Sequence, residues 1–229
     1  MSTRTTAKIT GWSLAAMAVI AGFSLGYAYE KVFSAIQTNA AGYFQLFRIV
    51  LLGILLTIIL DFIVSFTLYK FFKNDNRVIS LVSALLRVIY TLIFGCAALS
   101  LMNCLSIWTT NQTAVIANFE RFMFIWTSGL IIFGFHLVFV GFLMKVHKKI
   151  PKILWILTII AGLSYVIVHF LKAAAPSLEQ FTKSLEMILM LPMAAGELGL
   201  AVWLIIKGGK ADTYKKQNCQ GDNAPLAEN

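Results

Sequence analysis

The sequence predicts an all-α fold, a polytopic bundle of six transmembrane helices with the N-terminus and C-terminus both cytoplasmic. Three observations carry this reading. Of 229 residues, 59% are hydrophobic and only 13% charged, against about half apolar and about a quarter charged in soluble globular domains. Apolar runs of roughly twenty residues, enough to cross a ~30 Å hydrocarbon layer as a helix, recur along the chain with short polar breaks. The basic residues collect in alternate breaks: thirteen Lys and Arg lie at the two ends of the chain and in the turns 70–77 and 145–152, whereas Lys31, Arg121, Lys172 and Lys183 lie on the opposite side. Positive charge marks the cytoplasmic face, so the asymmetry sets the orientation.

The first run, 9–27, follows Arg4 and Lys8. A cleavable signal peptide also begins this way, but the run has the length of a span and is followed by Tyr27, Tyr29 and Glu30 rather than a small-residue cleavage motif, so a retained helix is expected. Within it Ala18, Gly22 and Gly26 repeat every four residues, which suits close packing inside the bundle. Residues 28–45, with Glu30, Lys31, Gln37 and Asn39, are expected to form an outer loop or surface helix.

Spans two and three, 46–69 and 78–103, fold about the polar turn between them. A mixed stretch, 104–121, contains Trp108 and Asn111-Gln112-Thr113, a triplet that matches an N-glycosylation acceptor and has meaning only in a secretory pathway. Span four, 122–144, leads into the second basic turn. There Pro151 suits the start of span five, 153–171, because its missing N–H falls where no helical bond is due. A connector holding Pro176 precedes span six, 184–206. The membrane domain is thus residues 1–208. The rest, 209–229, is too hydrophilic to pack and is expected to be a disordered cytoplasmic tail.

The net charge of +9 serves topology in this pattern rather than nucleic-acid binding. The three cysteines form no framework: Cys96 and Cys104 fall on one helix, about 12 Å apart along it, and Cys219 is in the tail. Searches for an H-E-x-x-H zinc motif, a G-x-S-x-G nucleophile turn, a phosphate-binding glycine loop and C-x-x-C find nothing. A haem held by His136 and His169 would need both at one depth, which their positions deny. No cofactor and no metal are expected; the partners are the lipid bilayer and a proton or small polar solute.

Four spans each carry one ionisable side chain at a common level. Asp61, Arg87, His136 and Glu197 lie nine, ten, nine and ten residues from Lys70, Arg77, Lys145 and Lys207. At 1.5 Å per residue this is about 13–15 Å into the membrane, near its midplane. Stripes of small or polar residues turn at least two of them inward: Gly53, Thr57, Asp61 and Ser65 on span two, and Ser80, Ser83, Arg87, Thr91 and Gly95 on span three; Thr158, Gly162, Tyr165 and His169 make a third stripe on span five, climbing towards the outer face. Pairs Asp61–Arg87 and His136–Glu197 are expected. Two acids face one permanent cation, so neutrality takes one more proton, on His136 or on a carboxyl group. Arg48, Tyr165, His169 and Glu186 are secondary candidates on the outer side, Arg48 either reaching the interface or pairing with Glu186. His147 and His169 are read as interfacial histidines.

Taken together in order and spacing, Leu46-Phe47-Arg48, Asp61, Leu86-Arg87, Phe133-Gly134-Phe135-His136 with Gly141, Pro151-Lys152-Ile153-Leu154, Ala161-Gly162-Leu163-Ser164-Tyr165, Gly196-Glu197-Leu198, Trp203 and Lys207-Gly208 resemble the bacterial membrane family called domain of unknown function 4386. The resemblance covers nearly the whole chain, from Thr6 to Gly208. It implies a six-helix protein of the bacterial cytoplasmic (inner) membrane with no assigned activity, and it places Arg48, Asp61, Arg87, His136 and Glu197 in the characteristic pattern. Trp155 and Gly199 depart from that pattern, where Gly and Ser are usual.

Three functions are compatible with these residues. The leading one is binding of a proton or small polar solute at the midplane cluster, with transport as an extension. The second is a structural or regulatory membrane protein in which the cluster only fixes helix pairing. The third is a lipid-modifying enzyme using His136 or Glu197 as acid or base.

Overall fold

Side chains that answer unpaired backbone groups set where the helices begin. In the computed structural model, which describes residues 2–38, 42–147 and 149–210, Ser2 Oγ accepts the Thr5 N–H at 3.1 Å and opens α1 (Thr3–Phe23). Asn76 opens α4 (Arg77–Ile107) through Ile79 N–H, and Asn111 opens α5 (Gln112–Val146) through Ala114 N–H, both at 3.0 Å. Asn111, the first residue of the glycosylation-like triplet, is therefore a helix cap. The tail expected to be disordered, with Cys219, lies outside the described residues from 211 onward.

The helices run further than the apolar runs that announce them. From Phe23 the chain passes through a π-helical turn, Ser24–Ala28, straight into α2 (Tyr29–Gln37). The loop or surface helix expected over 28–45 is thus largely a continuation of the first membrane helix. Glu30, Lys31 and Gln37 face outward, while Tyr29, Val32, Ala35 and Ile36 are buried, a helical spacing that the polar residues disguise. The same holds for the first turns of α5, where Val115, Phe119 and Phe122 are buried between polar neighbours. The other helices are α3 (Phe44–Phe72), α6 (Lys152–Ala174) and α7 (Glu179–Ile206), with a 3₁₀ turn, Pro176–Leu178, before α7. Among the described residues six helices are long and apolar enough to span a bilayer, α1 and α2 counting as one. The chain is a multi-pass membrane protein.

The spans close a ring in chain order. Helix α1 lies against α3, α3 against α4, and so on to α7, which returns to α1; α2 leans onto α3 and α5. Close backbone approach holds α5 to α6. A Cβ on Gly134 would stand 2.7 Å from the Gly162 carbonyl oxygen, and one on Gly162 would stand 2.6 Å from that of Gly134. The stripe Ala18, Gly22 and Gly26 instead makes no close helix contact: all three are exposed, and a Cβ on Gly22 or Gly26 would meet nothing within 4 Å.

At the end bearing the basic turns, Arg4 ties α1 to the last turn of α7. Its Nη1 donates to the carbonyls of Leu204 (3.2 Å) and Gly208 (2.8 Å) and its Nη2 to Ile205 (2.6 Å), placing a cation at a helix C-terminus. His147 Nδ1 lies 2.8 Å from Asp75 Oδ2 and joins the two turns. Two apolar clusters fill the ring. One, around Phe47, Phe94, Phe119 and Phe122, occupies the far end; the other, around Phe72, Leu143, Met144 and Leu204, occupies the basic end. The polar layer lies between them.

Candidate functional site

Asp61, Arg87 and His136 form one bonded unit, respectively 0%, 1% and 1% exposed. The Arg87 Nη2 and Nε atoms donate to the same oxygen, Asp61 Oδ1, at 2.6 and 2.9 Å. Arg87 Nη1 lies 3.1 Å from His136 Nε2. A guanidinium nitrogen only donates, so Nε2 accepts. The ring proton is then on Nδ1, which donates to the Ser83 carbonyl at 2.8 Å. His136 is therefore the neutral imidazole, and the Phe133 ring covers the guanidinium with 5.3 Å between its Cζ and the ring centroid.

The stripes explain why these groups meet. Gly53, Thr57, Asp61 and Ser65 on α3 are all buried, as are Ser80, Ser83, Arg87 and Thr91 on α4. Serines fasten the two helices below the ion pair: Ser65 Oγ donates to the Ala84 carbonyl and Ser80 Oγ to that of Tyr69, each at 3.1 Å. Arg87 is held at a fixed height as a result.

Glu197 is not the partner of His136, which corrects the second expected pair. Arg87 has more N–H donors than one carboxylate oxygen takes, and the neutral imidazole supplies the further acceptor, turning His136 toward α4. Glu197 looks from α7 into a cavity of about 300 Å³ whose wall it shares with Asp61, Thr57, Tyr90, Trp126 and Tyr165. Tyr165 OH donates to Glu197 Oε1 at a long 3.4 Å. The other oxygen of Asp61, Oδ2, is buried with no hydrogen-bond partner within the protein. Buried polar atoms are rarely left so, and each such atom calls for an explanation. His136 does not line this cavity.

Among the secondary candidates, Tyr165 belongs to the cavity. His169 Nδ1 donates to the Tyr165 carbonyl at 2.9 Å, and the two rings stack. Glu186 pairs with Lys172 at 2.7 Å, not with Arg48. Arg48 is exposed on α3, with Gln45 Oε1 3.5 Å from its Nη1. Sequence reasoning missed Tyr90 and Trp126, whose Nε1 donates to the Tyr90 hydroxyl at 3.3 Å inside the cavity. Tyr90 follows Arg87 by three residues on the same helical face, a signal masked by the general abundance of aromatic residues. Among the described residues no group of three or more His, Cys, Asp or Glu is placed to hold a metal ion.

The model of the family described as Domain of unknown function (DUF4386) matches residues 9–208. A protein of the archaeon Archaeoglobus fulgidus, named only as an uncharacterised protein, is 31% identical over 160 residues, which cover 70% of this chain and 84% of the relative. No solved structure is significantly similar.

Proposed function

The chain belongs to the DUF4386 family, and from that premise we propose that its midplane cavity binds one positive charge, a proton or a small cationic solute, between Asp61 and Glu197. Arg87 balances Asp61, and His136 is neutral because Nε2 accepts from Arg87. Glu197 then has no counter-charge in the layer, and an isolated charge in hydrocarbon costs about 2.5–3.5 kcal/mol even on lenient insertion scales. A proton on Glu197 removes that cost, and so does a bound cation. We further assign the basic end to the cytoplasm of a prokaryotic cell membrane, following the distribution of Lys and Arg.

The observation that carries the reading is the unpartnered Asp61 Oδ2 in the same wall as Glu197. It is an acceptor awaiting a donor, as an ammonium or hydroxyl group would provide. Aromatic rings around the cavity suit a cationic group as well. A purely structural network draws support from the bonds that Asp61, Arg87 and His136 make with one another, but those bonds leave Oδ2 and Glu197 unexplained.

Thermal unfolding of the purified protein against a panel of small ammonium and guanidinium compounds tests the proposal. A ligand at 100 times its dissociation constant stabilises by about 2.7 kcal/mol. At least one cation should raise the midpoint, its neutral isostere should not, and Glu197→Gln should abolish the effect. A panel without any shift contradicts it.

A further inference from the structure

The midplane cavity does not end at the layer. Trp126, Leu130, Tyr165 and Ala194 line it and equally line a second cavity of about 620 Å³ that extends toward the far end between α5, α6 and α7. The methionine-rich side of this vestibule is formed by Met187, Met190 and Met193 on α7 and Met123 on α5. Met187 and Met190 are 74% and 62% exposed, so the vestibule opens sideways as well as outward.

The ring geometry accounts for that opening. Helices α1 and α7 touch at the basic end, where a Cβ on Gly11 would stand 2.8 Å from the Ala201 carbonyl oxygen. Farther along, α1 passes into α2, which leans onto α3 and α5. In that half the small residues Ala18 and Ala194 stand exposed on α1 and α7, and both line the midplane cavity. Pro192, which lacks the N–H that the Ile188 carbonyl would otherwise receive, lies between Met190 and Glu197. The charged residues of the vestibule are matched: Lys172 with Glu186 at 2.7 Å and Lys183 with Glu179 at 2.6 Å. At the deep end of the path Asp61 Oδ2 has no donor, and Glu197 is met only by the long Tyr165 hydrogen bond.

We propose that the ligand is a single-chain cationic amphiphile that slides in from the far leaflet between α1 and α7, its ammonium head reaching Glu197 and Asp61 Oδ2 and its chain lying along the methionines. The inference rests on the cation-binding reading of the cavity and adds the chemical class and the route. Methionine suits such a role, since its unbranched thioether adapts to chains of different shape. A head group without a chain would fill only the deep cavity.

Trp126 stands at the junction and reports directly. The protein with Trp12, Trp108, Trp155 and Trp203 replaced by Phe is placed in zwitterionic lipid nanodiscs and titrated with a decyltrimethylammonium brominated on its chain. A decyl maltoside brominated in the same way is the neutral control. Saturable quenching by the cation alone is expected, competed by unbrominated decyltrimethylammonium and weakened about tenfold or more by Glu197→Gln, roughly 1.4 kcal/mol. Met190→Ser, which shortens the apolar side of the vestibule without adding charge, should weaken binding of the amphiphile. If the four-Phe variant does not fold, thermal unfolding of the wild-type protein in the same nanodiscs gives the same comparison. Stabilisation by tetramethylammonium without saturable amphiphile binding overturns the amphiphile while leaving the cavity reading in place. Equal response to the maltoside, or no response to either cation, overturns it too, the latter together with the cavity reading.

Discussion

Arg87 and Asp61 meet on a single oxygen, Nε and Nη2 both ending on Oδ1, so a fully buried ion pair keeps one carboxylate oxygen free for something else. In a pair serving only to lock two helices, the side-by-side geometry with one nitrogen on each oxygen would satisfy more atoms. Here the guanidinium is shifted, and its remaining Nη1 reaches His136 at 3.1 Å.

Removing one member of the pair leaves the other charged and buried, which typically costs about 3–5 kcal/mol. Arg87→Leu or Asp61→Leu alone should lower stability in micelles by that order. The double variant Asp61→Leu with Arg87→Leu should lose clearly less, and denaturant unfolding of the three proteins checks the coupling. The exchanged pair Asp61→Arg with Arg87→Asp should recover folding without recovering cation binding; recovery of both would reduce the pair to helix-locking alone.

The tautomer of His136 is open to direct observation. Nitrogen-15 chemical shifts of the labelled ring should show a protonated Nδ1 and an acceptor Nε2. His136→Leu should cost about 1–3 kcal/mol for each buried polar group left without a partner, measured by the same unfolding curves. A doubly protonated ring would break the charge balance assigned to the layer.

Much of this layer was legible before any coordinates, because a charge inside an apolar run must be accommodated and helical rise fixes its height. The spacing of Asp61 from Lys70 and of Arg87 from Arg77 put both at one level, and the ion pair is there. Which acceptor Arg87 would take beyond Asp61 was not legible. The choice between Glu197 and Ser83 for His136 depends on rotation of α5 and α7 about their axes, and periodicity leaves both within reach. The continuity of α2 with α1 escaped for a different reason, since Glu30 and Lys31 on its outer face look like the start of a separate surface segment when the buried Tyr29 and Val32 are not read as a face.

Glycines separate by what faces them. Gly162→Ala should destabilise by about 1–3 kcal/mol, because its Cβ would meet backbone of α5 that has no room to yield. Gly22→Ala should be neutral or stabilising by up to about 1 kcal/mol, since its surroundings are open and Ala favours helix. Thermal midpoints of the two variants check the contrast.

Topology gives an independent check. With native cysteines removed, a cysteine placed at Asn74 should be shielded from a membrane-impermeant thiol reagent in intact cells, and one placed at Thr110 should react. The reverse labelling would invert the assigned orientation and with it the leaflet from which the vestibule opens.

At the centre of the proposed site, a proton and a cation are expected to compete for Glu197. Calorimetric titration of tetramethylammonium into the purified protein, in two buffers of different ionisation enthalpy and across a pH series, reads this directly. Binding should weaken as pH falls, with up to one proton released per cation bound, and Glu197→Gln should show neither. Absence of binding across the series, or binding that Glu197→Gln leaves intact, would contradict it.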